Sequence, residues 1–463
     1  MVSKDDIKKL IEATDMAALV SPYVKLIKSG SGYKGLCPFH HEDTPSFSVS
    51  QEKHLAKCIG CGKGGSPIQF LMDIKHLSYL EAVRELAKIN NMDINLAPPS
   101  KAEQINQKYY EINQLALDFY ERNLWHTVSG EKALKYLNER GLKNEIIKKF
   151  KIGLAPKEPD LLYQFLHEAK YLELDMVDCG LVRNSNDKYY DVFTDRIIFP
   201  ITNESGKVLG FSGRIYQGEK NLPKYLNTAE TPAFKKNNIL YNLENAIEGI
   251  TQNNRIVLHE GFMDVIATTR AGIKEVVCSM GTALTQNQIR IIKKYTNNVI
   301  LSYDSDKAGI LATYRALDLF ESQGFNVKIL KINGAKDSDE FVSKFGEKRY
   351  LEYFNSNQIE GLEYIYESAT ANLDINNNNA IEEAKKTIFT ALKSKKSAVL
   401  AEKYINRLSQ ALNVSSQALF ADYDATARPV IPSQNGYDGF NDNNYYDNYY
   451  DNTNAPSSEP SIL

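Results

Sequence analysis

Arg255-Ile256-Val257-Leu258-His259-Glu260-Gly261-Phe262-Met263-Asp264 opens the stretch that decides the fold. A short apolar run rich in branched residues ends on an acid and a glycine, and a helical pattern follows over 263–271. The alternation then repeats. Strand candidates fall at 276–279, 299–303 and 327–332, with helix candidates at 285–295 and 307–322. Short strands separated by helices of this length predict a parallel sheet covered on both faces.

Acids stand where these strands end. Glu260 follows the first. Asp304 and Asp306 follow the strand at 299–303, within Asp304-Ser305-Asp306-Lys307-Ala308-Gly309. Asp337 and Asp339 follow the strand at 327–332, within Lys336-Asp337-Ser338-Asp339-Glu340. In open parallel sheets the carboxyl ends of the strands line the functional crevice. Five carboxylates converging there repel unless cations lie between them. Hard oxygen donors select Mg²⁺ or Mn²⁺, and a pair of ions about 3.5–4 Å apart suits phosphoryl chemistry. Taken alone, each acid reads as a turn or a helix cap; three such signals on one sheet favour the site. Asp264 lies in a first helical turn, as a cap or as a group supporting the others, and Asp337 also suits a turn.

Working outward, residues 1–96 form one small unit. Pro98 and Pro99 break the pattern in a linker at 97–103, and helical spacing resumes from 103 to 124. A mixed α+β subdomain is expected over 104–250, the parallel α/β subdomain over 254–340 and a helical subdomain over 341–420. Residues 421–463 are rich in Tyr, Asn, Asp, Gly and Ser with almost no aliphatic residues, a composition that predicts a disordered tail. The fold class is therefore multidomain, α+β together with α/β.

The amino-terminal unit carries Cys37-Pro38-Phe39-His40 and Cys58-Ile59-Gly60-Cys61, two tight turns separated by 17 residues. Facing each other, they supply the four ligands of a tetrahedral zinc site. Cys37, His40, Cys58 and Cys61 are the expected set; His41 and His54 compete for the histidine position. With all four positions taken by protein, the ion is structural. It contributes on the order of 10–16 kcal/mol to folding such a module. Between the turns, the alternation of 44–50 suits a strand. Either Phe47 faces outward with Lys34, Lys53 and Lys57, offering a stacking surface to single-stranded DNA, or it is core. Ser78-Tyr79-Leu80-Glu81 reads as a capping box.

Composition closes several alternatives. The chain has 463 residues, of which 43% are hydrophobic and 24% charged, which is ordinary for folded domains. It shows no apolar run long enough to span a membrane and no apolar leader core at its start, so a cytoplasmic protein is expected. Five cysteines cannot form a disulfide framework in a chain this long. Cys179 and Cys278 stand alone, as small core residues. The net charge of −3 is uneven: residues 421–463 carry −6, leaving +3 on residues 1–420. A mildly basic body fits a nucleic-acid partner weakly.

These motifs resemble, in order, those of the bacterial DnaG-type DNA primases. Cys37–His40 with Cys58-Ile59-Gly60-Cys61-Gly62-Lys63-Gly64-Gly65 is similar to the CHC2 zinc module. Glu139-Arg140-Gly141-Leu142, Arg196-Ile197-Ile198-Phe199-Pro200-Ile201, Gly210-Phe211-Ser212-Gly213-Arg214 and Lys224-Tyr225-Leu226-Asn227 resemble segments of the family's catalytic core. Glu260–Val265 and Asp304–Gly309 resemble the two signatures of a Toprim fold.

The resemblance implies an enzyme that copies single-stranded DNA into short RNA primers from ribonucleoside triphosphates. Glu260, Asp304 and Asp306 would hold catalytic Mg²⁺ or Mn²⁺, with Asp264, Asp337 and Asp339 completing the acidic patch. Arg140, Arg196, Arg214, Lys224 and Lys236, with Tyr225 and Asn227, would grip template and nucleotide. The zinc module would read template bases.

The family's usual helicase-binding helical domain is not evident beyond 420, where the tail stands, so the expectation is either that the replicative helicase is not recruited or that the tail serves as a peptide for it. A monomer is expected, with no membrane partner. The sequence contains no G-x-x-x-x-G-K-[ST], which argues against a fused helicase. Two other readings stand beside this one. A non-catalytic zinc and single-strand-binding adaptor is disfavoured by the intact Glu260, Asp304 and Asp306. A Toprim nuclease or topoisomerase is disfavoured by the Lys224–Asn227 segment and the zinc pattern.

Overall fold

Alternation of inward and outward residues builds the amino-terminal module. In the computed structural model, which describes residues 4–40, 42–75, 77, 79–92, 101–217, 223–280 and 283–426, five antiparallel strands follow one another in sequence order. They are β1 (Ile27–Ser29), β2 (Gly32–Gly35), β3 (Phe47–Ser50), β4 (Leu55–Cys58) and β5 (Gly64–Gly65). Phe47 and Val49 point inward along β3 and are fully buried with Phe70, Leu71, Val83 and Leu86.

The outward reading of Phe47 is therefore corrected. Phe47 is opposite Gly35 and Cys58, whereas Ser48 is opposite Lys34 and Lys57. Because strand side chains alternate between faces, the lysines occupy the face that Phe47 leaves. The helices Pro67–Lys75 and Tyr79–Ile89 complete this core. His41, the capping-box Ser78 and linker residues 97–100 lie outside the described residues. Rather than continuing the linker, Lys101 begins the 26-residue helix Lys101–His126.

The second layer is a four-stranded antiparallel sheet in the order β11-β10-β9-β6. It comprises β6 (Gly153–Ala155), β9 (Arg196–Thr202), β10 (Val208–Ile215) and β11 (Tyr225–Asn227), while β7 (Val182–Ser185) and β8 (Lys188–Asp191) form a separate hairpin. Every residue of β9 is buried. The run Arg196–Ile201 is continuously apolar after its arginine, because helices and the neighbouring sheet cover both of its faces.

The third layer is the parallel sheet, ordered β13-β12-β14-β15-β16. It contains β12 (Ile256–His259), β13 (Val276–Cys278), β14 (Asn298–Leu301) and β15 (Asn326–Leu330). All four run parallel, in register Val257 with Val276 and Ile300, and Ile300 with Lys328. An antiparallel edge strand, β16 (Gln358–Glu360), closes the sheet inside a segment the sequence reads as helical. Its three residues are too few to show a period-2 pattern. The second and third layers share one apolar core in which Phe199 stacks on Phe262, with ring centroids 6.1 Å apart, and Tyr241 meets Phe262 edge-on at 4.5 Å.

Residues beyond 364 form a separate unit. Its helices Asn378–Lys395, Ala398–Leu412 and Ser416–Ala425 are capped by Asn377, Ser397 and Ser415. They bury Ile388, Phe389, Leu392, Ile405, Leu408 and Leu419. The last helix corrects the expected start of the tail at 421. Lys385 pairs with Asp422 at 2.5 Å and Lys393 lies 4.0 Å from the Tyr423 ring centroid, so these residues complete a helix against its neighbour. The tail from 427 on lies outside the described residues. No described helix is long and apolar enough to cross a membrane.

Candidate functional site

Each acid named from the sequence lies at the carboxyl edge of the parallel sheet or in the helical turn that follows it. Glu260 comes directly after β12 and accepts the Asp304 N–H through Oε1 at 3.3 Å. Asp306 caps the helix Lys307–Ser322, its Oδ1 accepting the Gly309 N–H at 3.0 Å. A side chain at Gly309 would meet the Asp304 carbonyl oxygen at 2.1 Å, so only glycine lets this turn close. Asp337 caps the helix Ser338–Phe345 through the Glu340 N–H at 2.8 Å. Asp264, in the first turn of Phe262–Arg270, accepts the Asp339 N–H at 3.1 Å. Asp306 and Asp337 thus do local capping work as well as adding charge.

Burial and crowding raise most of these acids. Burial, then the Asp304 charge, pushes Glu260 up to about 7. Burial and the Asp337 charge hold Asp264 well above the carboxylate range. Asp304 is raised by burial despite the neighbouring Lys336, and Asp339 is raised by burial against the opposing pull of Arg140. Asp306 goes the other way, because the Gly309 N–H stabilises its charge. The Lys336 ammonium lies 2.9 Å from Asp304 Oδ2 and 3.4 Å from Asp306 Oδ2, and that carboxylate contact keeps it protonated.

A basic wall faces the acids. Arg140 pairs with Asp339. It closes the helix Val128–Glu139, and the positive φ of Gly141 (+79°) turns the chain beside it. Arg214 on β10 lies 5.6 Å from the Tyr225 ring centroid, and Lys224 lies 5.9 Å from the same ring. Burial and the charges of Arg214 and Arg140 lower the Lys224 pKa. Buried Arg140 Nε, Arg214 Nε, Asn227 Oδ1 and Asp339 Oδ1 have no hydrogen-bond partner. Unpaired buried donors and acceptors are costly unless a ligand completes them.

Two expected members sit differently. Arg196 is buried, and its Nη1 donates to the Gly213 carbonyl at 3.1 Å and the Pro223 carbonyl at 3.0 Å. It acts as a strut within the sheet, where an open phosphate contact was expected. Lys236 begins a short 3₁₀ turn; its N–H donates to Glu230 and its carbonyl accepts from Gln288, and among the described residues its side chain makes no hydrogen bond or ion pair to the wall.

The Cys and His side chains converge completely. The ligand atoms of Cys37, His40, Cys58 and Cys61 all lie within 4.8 Å of one another. Among the described residues this is the one Cys/His/Asp/Glu set of three or more close enough to enclose an ion as it stands; the carboxylates at the sheet edge are arranged more loosely around Lys336. Cys37 Sγ and Cys61 Sγ are 3.7 Å apart, and Cys58 Sγ is 3.8 Å from His40 Nδ1. Burial works against the Cys58 thiolate, but the Ser46 hydroxyl and the Cys61 N–H outweigh it and hold its pKa below the ordinary thiol value. Burial raises the Cys37 thiol. His54 lies outside this set.

Family models match three segments: the CHC2 zinc finger over 2–102, the N-terminal domain of the DNA primase catalytic core over 119–247, and a Toprim-like domain over 257–342. The chain is 36% identical to a DNA primase of Clostridium acetobutylicum over 449 residues, covering 96% of this chain and 74% of that protein. It is 37% identical to a Staphylococcus epidermidis DNA primase, covering 95% and 74%. The chain belongs to the DnaG family of DNA primases.

Among solved structures, the zinc-binding and RNA polymerase domains of Aquifex aeolicus primase match with a TM-score of 0.57 at 32% identity, over 90% of this chain and 99% of that one. A DnaG catalytic domain bound to single-stranded DNA matches with a TM-score of 0.55 at 29% identity, over 68% and 99%. Two residues of the primase's sites escaped the sequence reading. Lys336 stands beside Asp337, and its position between two acid clusters was its signal. Glu42 follows His40 by two residues. It accepts from Cys37 N–H at 2.8 Å, Ser46 N–H at 2.9 Å and the Ser46 hydroxyl, and its Oε2 lies 3.4 Å from His40 Nε2. A carboxylate behind a ligating histidine orients the ring and fixes its tautomer. The sequence offers no spacing rule that would single it out.

Proposed function

We propose that this primase joins ribonucleotides at the carboxyl edge of β12, β14 and β15, on a single-stranded DNA template held by the basic wall. The observation that carries this reading is the meeting of Glu260, Asp264, Asp304, Asp306, Asp337 and Asp339 opposite Arg140, Arg214 and Lys224. Hard oxygen donors whose burial and mutual repulsion resist ionisation gain from divalent cations. Glu260, Asp304 and Asp306 would hold Mg²⁺ or Mn²⁺, about two ions, which supply a polarised 3′-hydroxyl and charge neutralisation at the leaving phosphate.

The chain's own groups do the positioning. Arg214 and Lys224, fixed against the Tyr225 ring, present cations to a triphosphate, and Arg140 bridges from Asp339 toward it. The three sulfurs of Cys37, Cys58 and Cys61 and the imidazole of His40 suit one tetrahedral zinc of structural role. The Lys34–Lys57 face of its sheet would meet template phosphates. In this reading the enzyme works as a monomer in the cytoplasm.

The test is primer synthesis on single-stranded templates with labelled ribonucleotides and Mg²⁺, comparing Asp304→Ala with the unmodified chain. Product should fall at least a hundredfold while binding of template persists. Equal product from both would remove the metal assignment.

A further inference from the structure

Beneath the acidic edge lies a closed circuit of buried polar groups. His259 Nδ1 is 2.9 Å from the Ser302 carbonyl, and His259 Nε2 is 3.0 Å from Thr268 Oγ1. Thr268 Oγ1 is 3.0 Å from the Tyr350 hydroxyl, which is 2.9 Å from Ser338 Oγ; Ser338 Oγ is 3.3 Å from Ser302 Oγ. All five residues are buried, none more than 4% exposed.

The direction of the circuit follows from chemistry. A carbonyl only accepts, so His259 donates from Nδ1, and a neutral imidazole then accepts at Nε2. Thr268 must donate to it. The Tyr350 hydroxyl therefore donates to Thr268, Ser338 donates to Tyr350, and Ser302 donates to Ser338. Each hydroxyl uses its single proton once, and the circuit returns to Ser302.

Its members have one further property in common. His259 immediately precedes Glu260. Thr268 stands one helical turn after Asp264. Ser302 stands two residues before Asp304. Ser338 separates Asp337 from Asp339. Tyr350, from the helix Glu347–Ser356, is the member that adjoins none of these acids, and it bridges Thr268 to Ser338. We propose that Tyr350 is a positioning residue: its hydroxyl bridges Thr268 to Ser338, closing the circuit that holds four acid-bearing segments in one register, and so sets how tightly the carboxylate edge binds divalent cations. The inference rests on the cation reading above and adds the group that holds the cluster's shape. Backbone hydrogen bonds to Glu260 and Asp264 and the Lys336 ammonium hold these repelling segments at the edge, and a fully satisfied buried network beneath them adds a second hold.

The experiment is a Mn²⁺ titration of the full chain, read by the electron paramagnetic resonance of free ion, without nucleotide or DNA. Tyr350→Phe keeps the ring and deletes the hydroxyl; it should weaken Mn²⁺ binding about tenfold, as loss of a group supporting metal ligands does. Thr268→Val should do the same, whereas Thr268→Ser, which keeps the hydroxyl, should stay within twofold. Phe354→Leu, a buried change on the helix that carries Tyr350, controls for destabilisation and should bind as the unmodified chain does. Unchanged affinity in Tyr350→Phe and Thr268→Val overturns the proposal, as does equal loss in Thr268→Ser and Thr268→Val. Should Tyr350→Phe fail to fold, the Thr268 pair decides. Asp304→Ala separates the two levels. If it binds Mn²⁺ normally, the cation reading itself falls; if it loses binding while Tyr350→Phe keeps it, only the circuit's role falls.

Discussion

Replacing Phe47 by alanine distinguishes a core residue from a DNA-stacking one by magnitude. The ring is fully buried and meets Phe39 at 5.8 Å and Phe70 at 6.0 Å between centroids. Deleting a buried phenylalanine costs about 3–5 kcal/mol once the cavity is counted. In a module of fewer than 100 residues, each kcal/mol moves the melting point by roughly 4–8 °C, so the zinc module's transition should fall by about 12–40 °C. Phe47 stands opposite Cys58 in the sheet, so the loosened strand should also release zinc faster to a chelator. A stacking residue would behave otherwise: its removal would leave melting alone and weaken single-strand binding by about 1–3 kcal/mol per base. Differential scanning calorimetry of the full chain, with zinc release followed by a chromophoric chelator, reads the first effect; fluorescence anisotropy with a labelled oligonucleotide reads the second. An unchanged module transition with weakened DNA binding would refute the placement of Phe47 in the core.

Three further outcomes follow from the structure. Lys57→Gln, on the outward face beside Ser48, should leave melting unchanged and flatten the salt dependence of single-strand binding by about 0.7 in logarithmic slope, the share of one phosphate contact; an unaltered slope would take Lys57 out of the interface. Glu42→Gln should lower zinc affinity about 10–100-fold in a competitive chelator titration, because His40 and the Cys37 N–H lose a charged partner. Asp191, whose carboxyl is pushed up to about 6 by burial against the pull of the Leu162 and Tyr163 N–H groups, binds its proton more tightly folded than unfolded. The stability this contributes is complete below about pH 4 and is lost as pH rises through 6. It amounts to about 3 kcal/mol, and Asp191→Asn should abolish that slope in guanidinium denaturation run from pH 4 to 7.

The parallel sheet was legible because β12, β13 and β14 are buried apolar runs, and an acid or a glycine follows each within three residues. A continuous apolar run bounded by such residues carries strand length and strand end together, as Val299–Leu301 before Asp304 shows. Other elements left no such mark. β16 is three residues long, and its pairing with β15 depends on neighbours 28–32 positions away in sequence. Phe47 was undecidable locally: alternation fixes that Phe47 and Lys57 take opposite faces once the register is known, but the register is set by the pairing of β3 with β4.

The site divides along the same line, and the division has a physical cause. In the proposed site, a group that would meet substrate or ion directly stands at a strand end or tight turn, where few residue types serve, so Glu260, Asp304 and the two Cys/His turns announce themselves by type and spacing. A group that holds those residues in place needs only one well-placed hydroxyl, carboxylate or guanidinium, and its partners come from anywhere in the chain. Arg196 shows how this misleads: a charged residue at a strand start suggests a phosphate contact, yet burial compels its guanidinium to seek carbonyls, and Gly213 and Pro223 provide them. Lys336 shows the converse. It reads as one charge in an exposed run, yet it lies between Asp304 and Asp306, where Coulomb repulsion makes a cation most valuable. The acids of this primase are thus written in its sequence, whereas the balance of charge that keeps them together exists only in the folded chain.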